Sequence, residues 1–143
     1  MKIMIINGPN LDMLGIRQPE IYGREDYEDL CFKIDQWAND YEITADVRQS
    51  NYEGEIVEFI HEAYEDSFDG VIINPAAYTH YSYAIRDALL ILDVPVVEVH
   101  LTDISKRDEF RRHSVISDIC AKTIKGKGFD GYREALEFFF NLL

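Results

Sequence analysis

Glu98 and His100 are the two residues of this 143-residue chain whose types and spacing most directly suggest chemistry. They close the apolar run Val94-Pro95-Val96-Val97-Glu98-Val99-His100, which reads as a buried strand, and strand positions i and i+2 face the same side. Glutamate is almost never buried without a partner. A carboxylate and an imidazole pointing together off a strand can work as an oriented general acid/base. The plainer reading is a salt link that tethers a neighbouring helix.

A basic run follows, Lys106-Arg107-Asp108-Glu109-Phe110-Arg111-Arg112-His113. Four of the chain's 14 Lys and Arg fall in residues 106–112, against two acids, in a chain of net charge −13. In a helical turn Arg107 and Arg111 would be i, i+4 neighbours and form an anion-binding wall. The backbone N–H groups of Leu101 and Thr102, just before it, could hold a carboxylate as helix starts do. The plainer reading is a solvated basic helix.

Earlier comes Asn74-Pro75-Ala76-Ala77-Tyr78-Thr79-His80, leading into a helix with Arg86 and Asp87. His80 and Asp87 are seven apart, two turns along one helix face. Each has a plainer role, His80 as a hydrogen-bonded first-turn histidine and Asp87 as a solvated charge or the partner of Arg86. Glu98, His100, His80 and Asp87 have no recognised metal-ligand spacing, so no metal is expected. His61 and His113 read as structural or surface residues. Residues 7–23 form a long loop with three Gly and two Pro, and long loops are often lids or binding loops. The loop carries Asn10, Arg17 and Tyr22, and it matches neither the dinucleotide nor the P-loop glycine pattern.

The elements that must position these residues alternate. Ile3–Ile6, Val71–Ile73 and Val94–Val97 are short apolar runs of the buried-strand kind, Ile43–Val47 is a more polar edge strand, and Ile119–Ile124 is a weak fifth. Helical periodicity marks Tyr27–Tyr41, Ile56–Tyr64 (with Ser50 or Asn51 to cap it), Ala84–Leu92 and Tyr132–Leu143. Such alternation predicts an α/β fold, a flavodoxin-like three-layer α/β/α sandwich on a five-stranded parallel sheet of order 2-1-3-4-5. In such sheets ligands bind beyond the carboxyl ends of the strands, near the switch between strands 1 and 3. The candidate residues all follow strands 1, 3 and 4.

Length and composition bound the rest. Residues 1–143 are expected to make a single domain. A hydrophobic fraction of 47% with 29% charged residues is ordinary for a globular chain, and a −13 charge disfavours nucleic acid and anionic membranes as partners. Cys31 and Cys120 form no framework and read as buried thiols of a reducing compartment. The opening MKIMIINGPN has too short an apolar run for a signal peptide, and no run reaches the ~18 apolar residues of a membrane span. A cytoplasmic location is expected.

Together N-G-P-N-L-D-M-L-G-I-R-Q-P-E-I-Y-G, N-P-A-A-Y-T-H with A-I-R-D-A-L, and V-E-V-H-L-T-D-I with R-D-E-F-R-R-H-S resemble the signatures of type II 3-dehydroquinate dehydratases, in order along the whole chain. The resemblance implies a flavodoxin-like protomer of a homododecamer, a tetramer of trimers. It implies metal-free, cofactor-free anti elimination of water from 3-dehydroquinate to 3-dehydroshikimate, a step of the shikimate pathway of aromatic amino-acid biosynthesis. By that resemblance Tyr22 is the base, Arg17 keeps it ionised, and Asn10 holds a water that supports the enolate. His100 protonates the departing hydroxyl and Glu98 orients it. Asn74 and the backbone of Leu101 and Thr102 bind the carboxylate, His80, Asp87 and Arg111 hold ring hydroxyls, and Arg107 supports the charge balance. The departures are Asp12 and Asp103 where Asn is common, Ser105 where His is frequent, bulky Tyr81 and Tyr83, and no Gly in N-P-A-A. The alternative is a non-catalytic flavodoxin-like small-anion-binding or regulatory module. A receiver module would want acids where Asn7, Asn10 and Asn74 stand.

Overall fold

A computed structural model describes residues 1–16, 20 and 24–143. Five strands, β1 (Lys2–Asn7), β2 (Thr44–Gln49), β3 (Gly70–Asn74), β4 (Val96–His100) and β5 (Lys122–Lys125), form one sheet in the order β2-β1-β3-β4-β5. All four pairings are parallel. Among the described residues the α-helices include α1 (Tyr27–Asp40), α2 (Glu53–Glu65), α3 (Tyr83–Leu89) and α4 (Asp130–Phe140).

Alternation along the strands builds the three layers. Ile3, Ile5, Ile72, Val97 and Val99 face α1 and α4, packing on Leu30, Ile34, Tyr132, Leu136 and Phe139. Met4, Ile6, Val71, Ile73 and Val96 face α2 and α3, packing on Ile56, Ile60, Ile85 and Leu89. Both sheet faces are covered, so the inner strands read as continuous apolar runs rather than alternating ones. α4 lies close enough that a Cβ at Gly70 would sit 2.2 Å from the Phe139 ring, so only glycine fits there.

Several boundaries differ from the sequence expectation. β4 begins at Val96 because Pro95 has no N–H for the ladder, although its carbonyl still accepts from Val71 N. Residues 119–121 precede β5, since Ser117–Ile119 forms a 3-10 turn. α2 is capped by neither Ser50 nor Asn51: Ser50 Oγ accepts from Tyr52 N, and Asn51 Oδ1 accepts from Asn10 N. Residues 106–112 are not one helix. Two 3-10 turns, Ile104–Lys106 and Glu109–Arg111, flank an extended Arg107. Asp103 accounts for the first turn, its Oδ1 accepting from both the N–H and the hydroxyl of Ser105. His80 and Asp87 likewise share no helix. His80 ends a 3-10 turn, and α3 starts afresh at Tyr83 because Ser82 Oγ caps it through Ile85 N. The cysteines are half-buried and unpaired with one another; burial beside Glu98 pushes the Cys120 thiol up to about 12. His61 and His113 are exposed.

Candidate active site

The carboxyl ends of β1, β3 and β4 open into one cleft. The loop after β1 is held over it by Gly8 N donating to Asn74 O at 2.8 Å and by Asn10 N donating to Asn51 Oδ1 at 2.9 Å. A Cβ at Gly8 would lie 2.5 Å from Pro75 O, so a side chain at this position would force the two strand-end loops apart. Asn10 takes a left-handed conformation, φ 68°. Among the described residues the lining includes Asn10, Asn74, His80, His100, Leu101, Thr102, Arg107 and Arg111.

Eight of the twelve residues anticipated from the sequence therefore meet at this cleft. Glu98 lies directly beneath it, fully buried behind His100. Asp87 does not meet them: it is exposed on α3 and lines no part of the cleft, because the new helix start at Ser82 turns it outward. Arg86 does not pair with it either. Its guanidinium reaches Asp118 Oδ1 at 2.5 Å and the carbonyl of Val115 at 2.7 Å, pinning the 115–118 segment to α3. Arg17 and Tyr22 lie outside the described residues.

His100 Nε2 donates to Glu98 Oε2 at 2.5 Å. The same oxygen accepts from Thr79 Oγ1 at 3.0 Å and Ser114 Oγ at 2.8 Å. Oε1 accepts from Ser117 Oγ at 2.5 Å and Thr123 Oγ1 at 3.2 Å. Strand register explains the last of these, since Glu98 and Thr123 are directly paired across β4 and β5. Burial pushes the Glu98 carboxyl up, but the bonds from His100, Ser117 and Ser114 outweigh it and hold the group down at about 2. Glu98 is thus an anion at any physiological pH. With Nε2 committed to it, Nδ1 is the nitrogen of His100 left to act on a bound molecule.

His80 Nδ1 donates to the carbonyl of His113 at 2.8 Å. Its pKa lies below the ordinary histidine value, first through burial and then through the nearby His100, Arg111 and Arg107. A neutral imidazole so oriented offers Nε2 as an acceptor for a substrate hydroxyl. Arg107 and Arg111 supply the cationic wall even without a helix, both half-buried on the cleft side. Arg112 faces outward and bonds through Nε to the carbonyl of Arg107 at 2.8 Å, fixing that backbone. No α-helix starts at Leu101 or Thr102, so their part in binding an anion rests on individual N–H groups rather than a helix terminus.

Asn74 is set from behind. Its Oδ1 accepts from Ala76 N at 3.1 Å, and its Nδ2 donates to Tyr132 Oη at 3.0 Å. Tyr132 in turn donates to Asn7 Oδ1 at 2.6 Å. The sequence reading missed this network and the hydroxyls around Glu98. A signal for the latter existed: a buried carboxylate has more lone pairs than one imidazole can satisfy. Among the described residues no group of three or more His, Cys, Asp or Glu side chains is arranged to hold a metal.

Residues 1–140 match the family model described as Dehydroquinase class II. The chain is 51% identical over 138 residues to a 3-dehydroquinate dehydratase of Thermotoga petrophila, covering 96% of this chain and 94% of that one. It is 52% identical over 136 residues to one of Clostridium perfringens, covering 95% and 94%. The crystal structure of type II dehydroquinase from Butyrivibrio crossotus superposes with a TM-score of 0.95 at 47% identity, covering 99% of this chain and 97% of that one. With its family model matched over residues 1–140, relatives about half identical along nearly the whole chain and the same fold in a solved member, this chain belongs to the class II dehydroquinase family.

Proposed function

We propose that this chain is a 3-dehydroquinate dehydratase, a hydro-lyase that removes water from 3-dehydroquinate by anti elimination through an enolate, in the shikimate pathway. The observation that carries the reading is the Glu98–His100 contact of 2.5 Å at the floor of a cleft rimmed by Arg107 and Arg111. An imidazolium paired with a buried carboxylate can give its Nδ1 proton to a departing hydroxyl, while two guanidiniums match an anionic substrate. The non-catalytic alternative is not favoured by the relatives' names.

In this reading Tyr22 is the base. A free tyrosine has a pKa near ~10, so bringing it to neutrality takes roughly three units, or about 4 kcal/mol in favour of the anion. Burial acts the wrong way on a phenol, so a cation must supply the difference, and Arg17 is assigned that part. Asn10 holds the water that supports the enolate. Asn74 with the backbone of Leu101 and Thr102 takes the carboxylate, His80 and Arg111 the ring hydroxyls, and Arg107 balances charge.

A homododecamer, a tetramer of trimers, is part of the proposal. Asp87 points away from its own cleft, so its assigned contact with a ring hydroxyl requires delivery from a neighbouring copy. Exposed Tyr81, Tyr83, Leu90 and Ile91 around it give α3 the apolar surface such a neighbour would cover. A cytoplasmic location fits two unpaired cysteines. No helix among the described residues is long and apolar enough to cross a membrane.

The test is direct. Purified protein should convert 3-dehydroquinate with a rise in enone absorbance. His100→Ala should lose roughly 10²–10⁴-fold in kcat while folded, as positioned acid–base groups do. Tyr22→Phe should bind substrate and be nearly inactive. Near-normal turnover in both variants would overturn the assignment.

A further inference from the structure

Resting on the dehydratase reading, with His100 as proton donor, a further set of residues takes a part in the reaction. Glu98 is fully buried, and the four hydroxyls that reach it come from four pieces of chain. Thr79 stands in the 3-10 turn after β3, Ser114 in the loop after the Glu109–Arg111 turn, Ser117 in the turn before β5, and Thr123 in β5 itself. Their distances to the carboxylate run from 2.5 to 3.2 Å. Thr79 and Ser114 are also 3.0 Å from each other. A hydroxyl owns one hydrogen, so this pair shares two hydrogens among three contacts. Whichever way they turn, at least one of them donates to Oε2, while Ser117 and Thr123 donate to Oε1.

We propose that Thr79, Ser114, Ser117 and Thr123 are positioning residues for the elimination, holding Glu98 as a fixed anion so that His100 keeps Nε2–H on Glu98 and turns Nδ1 to the cleft. The acid step needs that orientation. When the C–O bond breaks, its electron pair goes to oxygen, which takes the Nδ1 proton and leaves as water. His100 is left neutral with its remaining proton on Nε2, the tautomer Glu98 stabilises. A carboxylate free to rotate, or to take the Nε2 proton, would leave a neutral ring with its one proton on Nδ1, and that ring is a far weaker acid, because giving up the proton would make it an imidazolate rather than a neutral imidazole. The Arg86–Asp118 pair and the bond from Arg86 to Val115 O hold the segment that carries Ser114 and Ser117, so the hydroxyls are themselves fixed.

The test compares Ser117→Ala, Thr79→Val and Thr79→Ser with wild type. Ser117→Ala removes one half-exposed oxygen and leaves no large void, so it keeps the experiment decisive if Thr79→Val fails to fold. The first two variants should lose about ten- to a hundredfold in kcat, the worth of a hydrogen bond to a charged group, with KM for 3-dehydroquinate within about threefold. Thr79→Ser should recover most of the loss. Nitrogen-15 NMR of the histidine rings, with His100→Ala identifying the His100 signals, should show the Nε2–H tautomer in wild type and a mixture in the two variants. A merely structural role would lower stability without moving the tautomer. Unchanged tautomer and kcat within twofold in folded Ser117→Ala would overturn the proposal. A wild type without turnover would instead overturn the dehydratase reading, and the tautomer measurement, which needs no substrate, would still decide whether the hydroxyls orient His100.

Discussion

The hydroxyl of Tyr132, on α4, donates to Asn7 Oδ1 at the end of β1 with a length of 2.6 Å, across a sequence separation of 125. Asn7 and Asn74 are register partners on β1 and β3, and Tyr132 bonds to both. One buried phenol thus ties α4 to the two parallel strands at which the order of strand addition switches sides. Burial pushes that phenol's pKa up, so it stays a neutral donor.

Tyr132→Phe leaves the buried Asn7 carbonyl and the Asn74 amide each short of a partner. The expected cost is about 1–3 kcal/mol, read as a lower urea midpoint at unchanged m-value. KM for 3-dehydroquinate should rise as the Asn74 amide loses its orientation. An unchanged midpoint would mean that water replaces the phenol.

Arg111→Ala should weaken substrate binding about ten- to a hundredfold, as expected for loss of a charged hydrogen-bond donor, and leave the fold intact. Arg111 is half-buried on the cleft side with its guanidinium 5.0 Å from the Phe110 ring, so little core packing is lost. Isothermal titration with a substrate-like anion reads the change. Equal affinity in the variant would remove Arg111 from the anion wall.

Acid should destabilise the protein through Glu98. Its folded pKa lies below the unfolded value, so its contribution is complete above the ordinary glutamate value of ~4.3 and is lost as pH falls towards about 2. Glu98→Gln should be less stable at neutral pH, because five groups arranged around an anion then face an amide. Its stability should also fall less steeply between those two pH values. Parallel pH curves for wild type and variant, from urea titrations, would contradict the assignment.

Ala76 sits in the left-handed region at φ 53°, where an L side chain is strained, and donates its N–H to Asn74 Oδ1. Ala76→Gly should raise stability by about 0.5–1 kcal/mol, close to 2–4 °C in Tm for a chain of this size. A lower Tm would show that the methyl's packing outweighs the strain.

The sheet order and the facing of Glu98 with His100 were legible in the sequence, for a local reason. Hydrophobic runs with a period of two or 3.6 residues are written into consecutive residues, and positions i and i+2 of a strand share a face wherever the strand lies. Asn10, Asn74, His80, Arg107 and Arg111 could be gathered at the cleft from the sequence because each follows a strand whose carboxyl end must point there. Tertiary structure decided the rest. Asp103 and Ser82 compete for backbone N–H groups, breaking the basic run into two turns and turning Asp87 out of the cleft. Thr79, Ser114, Ser117 and Thr123 converge on Glu98 from separated segments, and Tyr132 reaches Asn7 across nearly the whole chain. A side-chain hydrogen bond between distant segments leaves no periodic trace along the chain. Its geometry exists only once both segments have been packed onto the same sheet, and so the sequence determined which residues follow the strand ends while the fold determined which of them face the cleft and what holds them there.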